Sequence, residues 1–430
     1  MRKQGSLQLV RLRQSPYLNA VLVLAGGTAF AQALPIIASP LLTRLYTPQD
    51  FGRLSLFTAL VSSVGMAVCG RYDMAMLLPR RGGPARQLFG LALWVGLLFS
   101  AAWLLVALAA SDSLRRAIGA ESIGGWLYMV PLGLFLTGVR TTLGYWANRR
   151  GDFRALVRAQ WSQAVIVVIV GLGLGVFGTG FPGLLAANLL GLLVGAGQLA
   201  YLFRRELSAS SLAWSRAKKA LARRYKDYPL YSASSAVVDG VTMSLPVFFL
   251  AHHFPDGTLG LYALVLRVAN APLSFISSAV GQVHIKRIVQ LLHDGQDPGA
   301  YLKRVALWLA LVAAIPTLLL MPFAPWLFAQ VFGAAWREAG DYLQILMPSL
   351  AVRFVASTIS GTIEATNNTQ LGAAWKVAAL LVTVTMLRLV APLGDIRGLL
   401  IAMAATDIAL YVLYGWLSFR AGRSPRLGKT

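Results

Sequence analysis

Four arginines, Arg71, Arg140, Arg267 and Arg353, and three aspartates, Asp73, Asp239 and Asp407, lie inside stretches that are otherwise apolar. A guanidinium grips phosphate through two parallel hydrogen bonds. Arginines in excess over aspartates in such a setting therefore suit an anion that the chain itself does not supply. The aspartates have two readings. They can be fixed partners of the arginines, or they can couple binding to H+ or Na+, because a buried carboxylate changes ionisation with the charge beside it. Arg71 and Arg140 also have a plain reading, structural ion pairing with the side chain reaching to the headgroups. On an ideal helix Arg71 points nearly opposite Asp73, which argues against a pair between those two.

The stretches that carry these charges follow from composition. The 430 residues are 57% hydrophobic and 13% charged, and mean hydropathy is +0.64, too apolar for an ordinary soluble domain. A hydrocarbon core about 30 Å thick takes roughly 20 apolar residues per helix. On that ruler the expected fold is all-α and polytopic, with twelve transmembrane helices near 18–42, 55–78, 87–110, 123–147, 159–178, 182–203, 229–251, 259–283, 304–323, 342–365, 370–391 and 397–419. Arg353, Asp239 and Asp407 then sit about 15 Å from the nearer end of their spans, Arg267 about 12 Å, and Arg71 and Arg140 about 10–12 Å. A charge so placed costs from about 2.5 kcal/mol upwards, so it should face a cavity or a partner.

Between the sixth and seventh spans runs the longest polar passage, 204–228, in which eight Lys or Arg accompany a single Glu206 up to Lys226. Such a cluster resists translocation and marks its side as cytoplasmic. Of the 39 Lys and Arg, 27 fall on that side and 6 on the other, which puts both termini in the cytoplasm. The net charge of +23 is thereby explained without nucleic acid, since the basic residues sit between apolar runs and form no polar domain. The basic start, 1–19, reads as the flank of a retained first span. The sole cysteine, Cys69, allows no internal disulfide and reads as a small buried residue.

The connector divides the chain into an N-terminal lobe, 1–203, and a C-terminal lobe, 229–430, of six spans each. Asp50-Phe51-Gly52 and Thr258-Leu259-Gly260 open spans 2 and 8 at an offset of 208, as parallel repeats about a membrane-normal axis would. Polar residues recur at helical spacing in span 1 (Thr28, Gln32, Ser39), span 2 (Ser55, Thr58, Ser62, Cys69, Asp73), span 7 (Ser232, Ser235, Asp239, Thr242), span 8 (Arg267, Asn270, Ser274, Ser278, Gln282) and span 10 (Ser349, Arg353, Ser357, Ser360, Glu364). Gln32, Asn270, Ser274 and Ser235 are the expected polar lining of a central cavity. Hydroxyl stripes also serve ordinary helix packing in lipid.

Several strings resemble a known family. Leu45-Tyr46-Thr47-Pro48-Gln49-Asp50-Phe51-Gly52, then Arg71-Tyr72-Asp73-Met74-Ala75, Tyr228-Pro229, Gly260-Leu261-Tyr262-Ala263-Leu264 with Arg267, and Phe332-Gly333-Ala334-Ala335-Trp336 with Ile345-Leu346-Met347-Pro348 resemble bacterial polysaccharide-biosynthesis flippases. These belong to the multidrug, oligosaccharidyl-lipid and polysaccharide exporter superfamily. The resemblance implies two six-helix lobes around a cavity that opens alternately to either side of the inner membrane. It implies an undecaprenyl-diphosphate-linked oligosaccharide as substrate, for O-antigen, capsule or exopolysaccharide, with membrane lipids and other polysaccharide-assembly proteins as neighbours. Arg267 stands at the family's arginine in span 8, while Asp239 stands where the family implies a neutral polar residue.

Two rival classes are weighed against this. A multidrug exporter of the same superfamily would select organic cations with acidic groups, against the basic excess here. A membrane-embedded glycan polymerase or glycosyltransferase needs positioned acids, bases or a metal. The four histidines show no HExxH-like spacing and no GxxxxGK loop is present, so no catalytic residue, metal or cofactor is expected.

Overall fold

The structure, a computed structural model, describes residues 16–109, 115–116, 119–206, 213–294, 296–366 and 368–423. Ser274, Ser278, Gln282 and Glu364 lie outside the residues whose side chains are described, as do 1–15 and 207–212 of the basic segments. Every regular element among the described residues is helical. In order they are α1 (Pro16–Ile37), α2 (Ser39–Leu45), α3 (Pro48–Gly65), α4 (Tyr72–Ala75), α5 (Gly82–Ala109), α6 (Val130–Arg150), α7 (Phe153–Val176), α8 (Phe181–Phe203) and α9 (Arg216–Arg224). There follow α10 (Ser234–His253), α11 (Asp256–His293), α12 (Gly299–Leu320), α13 (Ala324–Phe332), α14 (Arg337–Ile359), α15 (Gly361–Ala365), α16 (Thr369–Val390) and α17 (Ile396–Arg423). Each of the twelve stretches that hydropathy marks contains helix, though the one at 55–78 is broken after Gly65. Among the described residues nine helical stretches are long and apolar enough to cross a bilayer.

Helix ends follow local chemistry. Thr47 and Asp50 cap α3 reciprocally, Thr47 N–H donating to Asp50 Oδ2 (3.0 Å) and Asp50 N–H to Thr47 Oγ1 (3.3 Å), which satisfies donors that the first turn leaves open. Asp152 accepts from Ala155 N–H (3.0 Å) at the start of α7. Asp395 takes the N–H groups of Arg397 and Gly398 (both 3.0 Å) at the start of α17. On α12 Leu307, Leu311, Ile315 and Leu319 are all more than half exposed. Their spacing of four makes one apolar stripe, as hydrocarbon contact requires.

Backbone contacts divide the chain into two compact units. The first holds the described residues up to Tyr46 and Arg53–Phe248. Its tightest pair is α7 with α8, where a Cβ on Gly195 would stand 3.1 Å from the Ala159 carbonyl oxygen and one on Gly191 2.5 Å from Val167 Cγ2. These glycines, four apart, let the backbones approach in a medium that offers no hydrophobic drive between helices. Trp161 of α7 stacks on Phe30 of α1 (4.2 Å), and Tyr46 O–H donates to the Gly171 carbonyl (2.7 Å). The connector helix α9 joins the same unit. Ser215 caps it, Trp214 meets Trp94 edge to face (6.3 Å), and Tyr72 O–H donates to the Ala222 carbonyl (3.3 Å). Lys218 is fully covered and donates to the Ala213 carbonyl (2.6 Å); burial lowers the pKa of its ammonium. α10 packs against α3 through Gly240, whose Cβ would overlap the Ser63 carbonyl oxygen.

The second unit holds Thr47–Gly52 and the described residues from Phe249 onward. α14 is its central helix, packed by α11, α12, α13 and α17, with Phe354, Ile359, Leu309 and Ala313 as a buried cluster. Here the first turns of α3 and α11 cross at backbone contact. A Cβ on Gly52 would overlap the Asp256 carbonyl oxygen and reach Gly260 N at 3.1 Å; one on Gly260 would overlap the Pro48 carbonyl oxygen and reach Gly52 N at 3.0 Å. The two positions that meet are those related by the 208-residue offset, and the contact is reciprocal, as between symmetry-related elements.

Candidate functional site

Arg71 and Arg140 belong to the first unit, Arg267 and Arg353 to the second. Span 2 is not one helix. α3 ends at Gly65, and after a run of turns Gly70 and Arg71 both adopt φ 58° before α4 begins. Arg71 is the one non-glycine residue with positive φ among those described. The unwinding replaces the ideal-helix geometry, yet Arg71 and Asp73 still form no ion pair. Asp73 is 1% exposed, with Oδ1 shielded and unbonded, and Arg71 Nε is likewise shielded and unbonded. A left-handed L-residue costs roughly 1–2 kcal/mol, so the usual order of alanine over glycine should invert here. In thermal unfolding, Arg71→Gly is expected to exceed Arg71→Ala in stability by about 1 kcal/mol; equal stabilities would mean that the bend is not left-handed.

Arg140, on α6, is half-buried; its Nε is shielded from solvent and has no hydrogen-bond partner. Arg267, on α11, is half-buried with its guanidinium over the Phe51 ring (5.3 Å). For both, burial is the influence that acts on the guanidinium, and among the described residues no carboxylate offsets it. Arg353 differs. It lies over the Tyr411 ring (5.5 Å) and shares an electrostatic cluster with Asp407, Tyr411 and the buried Tyr262. Asp407 thus has a standing cationic neighbour. Asp239 is half-buried and does have an interaction partner.

The polar stripes divide in use. Thr58, Ser62, Thr242, Ser349, Ser357 and Ser360 donate to carbonyls three or four residues back in their own helices, which suits helix packing. Cys69 is 2% exposed and accepts from Thr142 Oγ1 (3.4 Å). Gln32, Asn270 and Ser235 are exposed. The spacing of charged and small polar residues does not mark the aromatic neighbours Phe51, Tyr262 and Tyr411. Tyr411 follows Asp407 by four on one helix face, a spacing that could have flagged it. No group of His, Cys, Asp and Glu among the described residues could hold a metal.

Residues 41–341 match the model of a family described as "Polysaccharide biosynthesis protein". The chain is similar to the succinoglycan biosynthesis transport protein ExoT of Rhizobium meliloti (strain 1021), with 22% identity over 407 residues that cover 92% of this chain and 78% of that protein. Among solved structures it resembles the lipid II flippase MurJ in an inward closed conformation, with TM-score 0.74 and 11% identity over 93% of this chain and 87% of that one. It also resembles an inward-facing multidrug resistance MATE family transporter of the MOP superfamily, with TM-score 0.61 and 16% identity over 94% of this chain and 96% of that one. At these identities the structural likenesses speak to fold alone.

Proposed function

Because the chain belongs to the polysaccharide biosynthesis protein family, we propose that it is a flippase that carries an undecaprenyl-diphosphate-linked oligosaccharide across the inner membrane by alternating access. The observation that carries this reading is Arg140, in a helical stretch long and apolar enough to cross a bilayer, together with Arg267 on α11, neither guanidinium being offset by a carboxylate among the described residues. A cation in that position is expensive, from about 2.5 kcal/mol, and a diphosphate group would supply the missing anion. Exposed Gln32, Asn270 and Ser235 support the same reading, since amide and hydroxyl groups at that depth are poor neighbours for hydrocarbon and good ones for sugar and water. In this reading 1–203 and 229–430 rock as two lobes about the connector 204–228, both termini are cytoplasmic, and Arg353 and Arg71 assist Arg267 and Arg140 at the diphosphate. Asp239, Asp73 and Asp407 are then the groups through which H+ or Na+ would drive the cycle. No bond is made or broken in flipping, so no catalytic residue or cofactor is assigned.

Reconstitution in liposomes separates this from export of organic cations. The expected result is movement of a fluorescent undecaprenyl-diphosphate oligosaccharide between leaflets, and no protein-dependent movement of a cationic dye. Dye transport without lipid movement would overturn the flippase assignment.

A further inference from the structure

At the connector end of the first unit lies a pocket of about 520 Å³ walled by Arg80, Arg86, Arg149, Arg150, Trp146 and Glu206, with none of the four span arginines in its wall. The volume falls in the range of roughly 300–1,000 Å³ typical of small-molecule sites. Its charges do not cancel. Glu206 is the one carboxylate in the wall; its Oε1 pairs with Arg150 (2.9 Å) and its Oε2 accepts from Trp146 Nε1 (3.3 Å). Arg149 donates to the carbonyl oxygens of Met76 (2.9 Å), Leu77 (3.2 Å) and Pro79 (2.5 Å). Carbonyls satisfy its hydrogen bonds but leave its positive charge in place. Arg80 and Arg86, both exposed at the rim, have no carboxylate partner among the described residues. Three guanidinium charges therefore face one hollow without a counter-ion.

The hollow is also preformed. Arg149 ties down three carbonyls of the turn that follows α4, and Trp146, 3% exposed, packs edge to face with Phe89 (5.8 Å), so ordering of the wall does not have to accompany binding. Leu77 and Leu78 continue the wall outward and are 36% and 57% exposed, an apolar lip beside a cationic bowl.

We infer that this pocket binds a phosphate ester, gripped by Arg80 and Arg86 over the fixed charge of Arg149. Guanidinium forks match phosphate oxygens in pairs, and basic pockets at helix ends take anionic headgroups in this way. The same chemistry can be presented by an acidic phospholipid, with its chains along Leu77 and Leu78, or by a soluble phosphate compound. Neither Arg140 nor Arg267 lines the pocket, and the inference does not depend on transport.

Native mass spectrometry of the purified full chain with added phosphatidylglycerol tests the lipid source, and a thermal shift with inorganic phosphate tests the soluble one. Wild type is expected to retain phosphatidylglycerol, and Arg80→Gln with Arg86→Gln is expected to weaken it roughly tenfold or more. A control pair outside the wall, Arg81→Gln with Arg154→Gln, is expected to bind as wild type. A phosphate shift lost in the first pair, with no lipid retained by wild type, upholds the pocket with the soluble source. Equal binding of both probes by wild type and the first pair, or equal losses in both pairs, overturns it.

Discussion

Gly260→Ala is expected to destabilise the protein by about 3 kcal/mol, the upper end for overpacking, because the new methyl falls on the Pro48 carbonyl oxygen. A side chain in the way could swing aside, whereas a backbone carbonyl in a capped first turn cannot. The starts of α3 and α11 must move apart. Gly52→Ala meets the Asp256 carbonyl in the same manner, so the two substitutions break one shared contact. Their costs are therefore not additive: once either alanine has parted the helices, the second should add only a fraction of its own cost, a coupling of about 1–3 kcal/mol in a double-mutant cycle. Thermal unfolding of the four species in detergent gives that number. Additive costs would show that the crossing is not closed in solution.

That pair also shows what the sequence makes legible. The repeat offset marks Gly52 and Gly260 as equivalent, yet nothing in the one-dimensional pattern says that equivalent residues touch. Hydropathy locates the helical stretches because hydrocarbon thickness and helix rise fix their length. It does not see the break before α4, because a window average over apolar residues is blind to two successive left-handed backbone conformations at Gly70 and Arg71. An ideal-helix argument therefore reaches the right outcome for Arg71 and Asp73, which form no ion pair, from a geometry the folded chain does not have. The charged members of the candidate site are legible because each is an anomaly in an apolar run. Their aromatic company, Phe51 beneath Arg267 and Tyr411 beneath Arg353, is not, because an aromatic in a membrane helix is no anomaly. The pocket at Arg80 and Arg86 is hidden for the opposite reason: arginines at helix ends are what topology alone requires, and only the folded chain shows that they close around a hollow.

Arg140→Met should raise stability and slow transport roughly tenfold or more. Methionine keeps most of the length and apolar bulk of arginine while removing a charge that has no carboxylate to offset it among the described residues and an Nε that no hydrogen bond satisfies. Exchanging a buried charge for a well-packed apolar group of like volume gains about 1–4 kcal/mol where its partners are poor, and Arg140 falls at the favourable end because Nε brings no partner to orphan. If the guanidinium serves the substrate diphosphate, its loss removes charge-assisted hydrogen bonds worth about 1.5–3 kcal/mol each, a fall in flipping of roughly tenfold to a hundredfold per bond. Arg267→Met is expected to lose transport similarly with a smaller gain in stability, because the contact with Phe51 (5.3 Å) contributes about 0.5–2 kcal/mol that methionine only partly replaces. The structural alternative makes the opposite prediction for Arg140, since an arginine that braces the fold destabilises when removed. Unfolding temperature and lipid-linked oligosaccharide flipping, measured on one preparation, give the two signs together. A less stable Arg140→Met that still flips at the wild-type rate would return Arg140 to a packing role and leave the flippase assignment without its principal support.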